Sequence, residues 1–158
     1  MVNKTGKLFR NINTDQVTAF EYVAPFDYYS FVQRKQSEGY LQCILTADIM
    51  LCIIEKYLIL HNAQILEIEF MVEDEELVQE TNGLLSKMKN NSFVWTALKE
   101  RLHFLSVDNS IDIKRVSIKC AEKSFILDAQ VNGMFTATNQ AYNDVATDLC
   151  SIVEGQIK

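Results

Sequence analysis

The sequence predicts one α+β domain in which a mostly antiparallel sheet of about four strands carries helices packed on one face. The chain has 158 residues, a length typical of one domain, so we expect a single domain over residues 1–158. Hydrophobic residues make up 48% and charged residues 23%, which is ordinary globular usage. Segments with alternating apolar residues are interspersed with segments of helical period, and this mixture indicates both strands and helices.

The first part of the chain is expected to hold a loose terminus, a strand and a helix. Residues 1–14 are polar, which predicts a partly frayed terminus. Residues 16–23 carry β-branched and aromatic side chains and predict a strand. Pro25 suits the first position of a helix that ends near residue 37, where Gly39 can provide a left-handed cap.

A helix and a strand are predicted in the middle of the chain. Thr46 is a suitable N-cap for a helix that reaches residue 61 and is apolar around most of its circumference. Such a helix should lie against the sheet in the core. The alternation in residues 65–72 predicts a strand with Glu67 and Glu69 on a solvated face. The residues predicted to face the core from this strand are Leu66, Ile68, Phe70 and Val72.

The second half of the chain continues with helices and then a hairpin. Residues 73–89 and 92–106 predict an antiparallel pair of amphipathic helices. Residues 111–120 and 125–132 predict a β-hairpin, and a change in apolar parity near Lys114 predicts a β-bulge. A last amphipathic helix follows, so the predicted element order is β-α-α-β-α-α-β-β-α.

Charge and cysteine usage limit the compartment and the partners. The net charge of −6 lacks the basic surface that a nucleic acid or an anionic membrane requires, so neither is expected as a partner. The four cysteines are not arranged as C-x-x-C and lie in apolar stretches, which predicts reduced thiols without disulfides. We therefore expect a cytoplasmic protein.

The residue types that carry common chemistries are not spaced for them. His61 and His103 are far apart in the sequence and have no metal-ligand spacing with Cys52. Lys7 stands in a fragment of a phosphate-binding pattern whose first glycine is missing. We predict no catalytic residues, no bound metal and no cofactor.

An aromatic segment at residues 20–40 is the main candidate for a binding site. It holds more rings than one helix and one strand can bury, beside the basic side chains of Arg34 and Lys35. Exposed Tyr, Phe and Arg dominate protein interfaces. The alternative is a thick aromatic core with tyrosine hydroxyls at its rim. The candidate partner- or ligand-binding residues in this segment are Tyr22, Phe26, Tyr28, Tyr29, Phe31 and Arg34.

Arg101 is a further candidate because it falls inside the apolar arc of its predicted helix. A buried guanidinium there would need a carboxylate partner, or would anchor an interface or an anionic ligand. The alternative is that the side chain extends to solvent from the edge of the arc.

These observations favour a non-catalytic protein-interaction module, such as an adaptor, a small chaperone or a subunit of a larger assembly. The expected partner is another protein or a second copy of this chain. Two alternatives stay open: a small-molecule-binding or sensor domain with an aromatic pocket, and an enzyme whose residues are scattered along the chain.

Overall fold

A computed structural model describes residues 2–23, 27–71, 74–88, 93–108 and 112–157. Within these ranges the chain forms seven strands and five helices. The strands are β1 (Asn3–Asn11), β2 (Val17–Tyr22), β3 (Tyr40–Gln42), β4 (Gln64–Phe70), β5 (Ile113–Cys120), β6 (Phe125–Gln130) and β7 (Met134–Thr138). The helices are α1 (Tyr28–Ser37), α2 (Ala47–His61), α3 (Glu75–Met88), α4 (Phe93–Asp108) and α5 (Tyr142–Ile157).

The strands form one antiparallel sheet in the order β2-β1-β7-β6-β5-β4, and β3 pairs with the part of β1 that lies beyond β7. The predicted α+β class agrees with this architecture. The predictions of about four strands and of the order β-α-α-β-α-α-β-β-α are wrong, because the described chain contains β1, β3 and β7 in addition.

The first of these additional strands, β1, has a local sequence that is not typical of a strand. The prediction of a frayed terminus over residues 1–14 is wrong, since Asn3–Asn11 is β1 and pairs with three other strands. Its pattern is misleading because it contains a glycine and a lysine, Gly6 and Lys7, at buried positions. The strand predicted over residues 125–132 is the last strand of the predicted order, but Gly133, with a φ of 85°, turns the chain from β6 into the further strand β7.

One face of the sheet, here called the core face, is covered by α2 and α5. Register and alternation place Leu8, Ile118 and Phe135 on this face. They belong to the main hydrophobic cluster, which also contains most of the buried residues of α2 and those of α5. The strongly apolar helix α2 therefore lies in the core, as predicted. Thr46 is its N-cap, and the Thr46 hydroxyl accepts a hydrogen bond from the Ile49 N–H.

The other face of the sheet, here called the opposite face, is not free of helices. Helix α1 covers its β1–β2–β3 end, where Phe31 meets Phe9 and Tyr22. The prediction that helices pack on one face is wrong for this reason. Two apolar surfaces exist because Leu8 and Phe9, consecutive in β1, point to different faces and are both fully buried.

The β4–β6 end of the opposite face carries the charged residues that the sequence placed there. Arg115 donates to carboxylates on both neighbouring strands: to Glu67 at 2.9 Å, to Glu69 at 3.1 Å and to Asp128 at 2.8 Å. One guanidinium thus bridges three carboxylates, and its single positive charge offsets one of their three negative charges.

Two β-bulges interrupt the regular pairing of β4 with β5. The bulge predicted near Lys114 is confirmed, because the register shifts between the pairs Glu69–Arg115 and Phe70–Ile113. A second shift, between Ile65 and Glu67, was not predicted. It turns Ile65 into the core and leaves Leu66 43% exposed, so the predicted inward orientation of Leu66 is wrong.

The helix pair α3–α4 and the β5–β6 hairpin are confirmed. All four cysteines are free thiols, as predicted. In the part of the chain that the structure describes, no helix is both long enough and apolar enough to cross a membrane.

Gly6 is required where β1 passes beneath α5. Tyr142 of α5 stacks on Phe135 of β7, with ring centroids 5.5 Å apart. A Cβ at Gly6 would lie 2.5 Å from the Tyr142 hydroxyl and 2.6 Å from the Phe135 ring. A side chain at this position would therefore force α5 away from the sheet.

We expect Gly6→Ala to lower the free energy of unfolding by about 1–3 kcal/mol, the usual cost of overpacking a core. Gly83→Ala is the matched control, because Gly83 lies within α3 and a Cβ there meets no atom within 4 Å. It should raise the same free energy by about 0.5–1 kcal/mol. Urea denaturation measures both, and equal stability of Gly6→Ala and the parent protein would contradict the close packing.

Candidate functional site

An aromatic cluster lies between α1 and the first three strands on the opposite face. Asp27 begins α1 by accepting hydrogen bonds from the Ser30 N–H at 3.2 Å and the Ser30 hydroxyl at 2.9 Å. Phe9, which is fully buried, contacts Phe20 and Phe31 edge-on at centroid distances of 5.7 and 5.8 Å. The other members are half-buried and surround it: Tyr22, Tyr28 and Tyr40.

Lys7 is buried inside this cluster. Its side chain has no exposed surface, and its ammonium donates to the Asn132 carbonyl. The ammonium also lies 5.4 Å from the Tyr28 ring centroid and 5.8 Å from that of Phe9, in cation–π geometry. No carboxylate of the described residues forms an ion pair with it. Burial therefore lowers the pKa of Lys7 to about 8.

The structure separates the predicted site residues into groups. Tyr22, Phe31 and Arg34 line one cavity of about 240 Å³ between α1 and the end of β2. Tyr28 belongs to the cluster beneath it and donates to Gln42 at 3.3 Å. Tyr29 is 75% exposed, and it lies 140° from Arg34 around the helix at 100° per residue, on the far flank of α1.

The remaining two candidates do not join this site. Phe26 lies outside the described residues. Arg101 lies on α4, exposed to solvent, and pairs with Glu80 of α3 at 3.1 Å. Its position agrees with the alternative in which the side chain extends from the edge of the apolar arc.

A second, larger cavity lies on the core-face side of the same strand. It is a groove of about 630 Å³, lined by residues 16–19 and by the flank of α5. Small and hydroxyl-bearing side chains form most of the α5 wall, among them Ala146, Thr147 and Ser151. The cavity and the groove thus flank β2 on opposite faces of the sheet.

The outer edge of β2 lies between these two spaces. Among the described residues β2 pairs with β1 alone, and the pair runs without a register shift from Thr5–Tyr22 to Arg10–Val17. The Asn11 N–H donates to the Gln16 carbonyl, and in an antiparallel pair every second residue then directs its N–H and C=O to the partner strand. The backbone groups of Val17, Ala19 and Glu21 consequently point away from β1. Burial raises the pKa of the Cys150 thiol on α5 to about 11. The Ala19 N–H has a smaller effect in the other direction and lowers this pKa, which agrees with an N–H that points away from β1.

The two outer strands of the sheet differ in how well they are protected against pairing with a further strand. β4 carries two register shifts and packs against α3, and bulges of this kind disturb the straight ladder that a further strand would need. β2 has neither a bulge nor a proline among its residues. A regular edge of this kind is a ready template for one more strand.

Chemical clusters elsewhere have structural partners. The Tyr57 hydroxyl donates to Asp148 at 3.3 Å, and His61 Nε2 lies 3.9 Å from the same carboxylate, which ties α2 to α5. Burial raises the pKa of Cys52, which keeps this thiol protonated near neutral pH. Within the described ranges, no three His, Cys, Asp or Glu side chains are grouped as metal ligands.

Sequence reasoning found part of this site and missed the rest. Tyr22, Phe31 and Arg34 were candidates because of their composition, and they line one cavity. The edge of β2 and the α5 wall were missed, since they depend on strand order and on residues more than a hundred positions apart. Lys7 was considered only as part of a phosphate-binding fragment.

Comparison of the chain with protein-family models, with curated proteins and with solved structures finds no match.

The depressed pKa of Lys7 predicts a pH-dependent stability. Between pH 8 and 10.5 the unfolded chain binds more protons at Lys7 than the folded chain, so this group makes the folded state more stable as pH rises. We expect Lys7→Met to be more stable than the parent at pH 7, with an advantage that shrinks by about 3 kcal/mol by pH 10.5. Urea denaturation of both proteins at each pH measures the difference, and a difference that does not change with pH would contradict the burial of a chargeable amine.

Proposed function

We propose that this protein is a non-catalytic protein-interaction module that binds an extended segment of a partner protein along the outer edge of β2. The observation that supports the proposal most directly is the regular edge of β2, which pairs with no second strand among the described residues and has a cavity on one face of the sheet and a groove on the other. In strand addition, main-chain hydrogen bonds provide affinity and alternate side-chain pockets provide selectivity.

The alternation of an added strand matches the two spaces. Side chains opposite Val17 and Ala19 would enter the groove beside α5, where the wall is small and polar. Side chains opposite Phe20 and Tyr22 would point to the α1 side, where the aromatic cavity lies. An extended segment therefore has a place for every side chain, whereas a helix cannot bond to the outward backbone groups of β2.

A partner protein suits this edge better than a second copy of the chain. Each copy carries a net charge of −6, and an edge-to-edge dimer would bring the Glu21 side chains of both copies to the same interface. The alternative of a small-molecule site with an aromatic pocket has less support, since the aromatic cavity of about 240 Å³ is below the usual range of about 300–1,000 Å³ for ligand pockets. The groove of about 630 Å³ reaches this range, but no aromatic residue of the described chain lines it.

The compartment is part of the proposal. Four free cysteines, two of them fully or nearly fully buried, suit a reducing cytoplasm. The net charge of −6 supports a protein partner over a nucleic acid or an anionic membrane.

Glu21→Pro tests the edge, because Pro removes an outward N–H while the ladder to β1 keeps its bonds. The probe is a set of peptides of about ten residues, long enough to span β2, selected from a random display library on the parent protein. We expect Glu21→Pro to bind them about tenfold more weakly by fluorescence anisotropy, as for one lost hydrogen bond.

Glu21→Thr is the matched control, since it removes the carboxylate and keeps the N–H. It should bind at least as tightly as the parent, because the carboxylate that it removes lines the cavity. A library that yields no binding peptide, or peptides that bind Glu21→Pro as tightly as Glu21→Thr, would contradict strand addition at β2.

A further inference from the structure

Arg34 differs from the other arginines of the chain in having no carboxylate partner among the described residues. The chain has four arginines, and three of them form ion pairs: Arg10 with Asp15, Arg101 with Glu80, and Arg115 with its three acids. In the residues that the structure describes, no carboxylate lies within the 4.0 Å ion-pair distance of the Arg34 guanidinium.

The neighbours of Arg34 are already engaged with other groups. Lys35 pairs with Glu38 at 3.2 Å and lies 3.8 Å from the centroid of the Phe20 ring. Asp27, on the same stripe of α1 but two turns away, is the N-cap and accepts from Ser30. At 1.5 Å per residue, Asp27 lies about 10 Å from Arg34 along the helix. Glu21 of β2 is the other acid that lines the cavity.

The cavity faces the edge of β2 on the side where an added strand would place alternate side chains. Tyr22 belongs to β2 and Phe31 to α1, and their rings are 5.3 Å apart. Both line the cavity together with Arg34. A side chain opposite Tyr22 would therefore lie against two rings and close to a guanidinium that has five N–H donors to offer.

We infer that Arg34 selects a bound segment by its acidic side chain: an aspartate or glutamate at the position opposite Tyr22 pairs with the guanidinium. This inference rests on the proposed strand addition at β2 and names the chemistry of its partner. We assign the carboxylate to a side chain, not to a chain terminus, and peptides with an amidated C-terminus separate the two, since an amidated end carries no carboxylate. The pair is charge-assisted and partly shielded by the rings, which strengthens it over a fully exposed ion pair.

The test uses the parent protein, Arg34→Gln and Arg34→Glu with C-terminally amidated peptides from the display library. Peptides selected on the parent should share an Asp or Glu at one fixed position. Changing that residue to Asn or Gln should weaken binding to the parent about tenfold and leave binding to Arg34→Gln unchanged. A Lys at the same position should restore binding to Arg34→Glu.

Arg101→Gln is the matched control, since it removes an exposed arginine on α4 that pairs with Glu80, and it should bind every peptide like the parent. One outcome overturns the role of Arg34 while strand addition stands. In this outcome peptides bind the parent and Glu21→Pro lowers their affinity, but they share no acidic position and Arg34→Gln binds them as tightly as the parent does. If no peptide binds, the proposed function fails and this inference fails with it.

Discussion

The fold depends on the burial of β1 between strands on both of its sides and between packed layers on both of its faces. β2 pairs along one side of β1, and β7 followed by β3 pairs along the other. Leu8 joins the main hydrophobic cluster, while Phe9 is the centre of the aromatic cluster under α1. Because consecutive residues of one strand serve two apolar layers, α1 must cover the opposite face at this end of the sheet.

This arrangement explains the unusual residues of β1. Gly6 leaves room for Tyr142 against Phe135, so α5 can lie close to the sheet. Lys7 places its amine under α1, where a carbonyl and two aromatic rings take the place of water and of a carboxylate. The hydroxyl of Tyr142 is buried without a hydrogen-bond partner in the described structure, which is a cost of the same close packing.

The same constraint leaves β2 at the edge. Among the described residues β2 pairs with β1 alone, and it lies between α5 on the core face and α1 on the opposite face. The outward backbone groups of β2 therefore lie between the groove beside α5 and the aromatic cavity beside α1. The far edge, β4, carries bulges that the near edge lacks, so the sheet offers one regular edge and one irregular edge.

The sequence allowed prediction of the features that depend on nearby residues. Thr46 and the apolar period after it predicted α2, and the parity change near Lys114 predicted a bulge, because both signals lie within one element. β1 was missed because Lys7 is buried by partners that are distant in the chain, among them Asn132. Arg34 was a candidate from composition, but its lack of a carboxylate partner and its place beside β2 depend on the tertiary structure.

Backbone hydrogen exchange of β2 tests the central claim most directly, because it reports on each side of the strand separately. In the free protein the amides of Thr18 and Phe20, which point to β1, should exchange slowly, and those of Val17 and Glu21 should exchange fast. With a library-selected peptide bound, the amides of Val17 and Glu21 should become protected while those of Thr18 and Phe20 stay slow. Amides of Val17 and Glu21 that are already protected in the free protein, or that stay unprotected in the complex, would contradict an open edge that binds an extended segment.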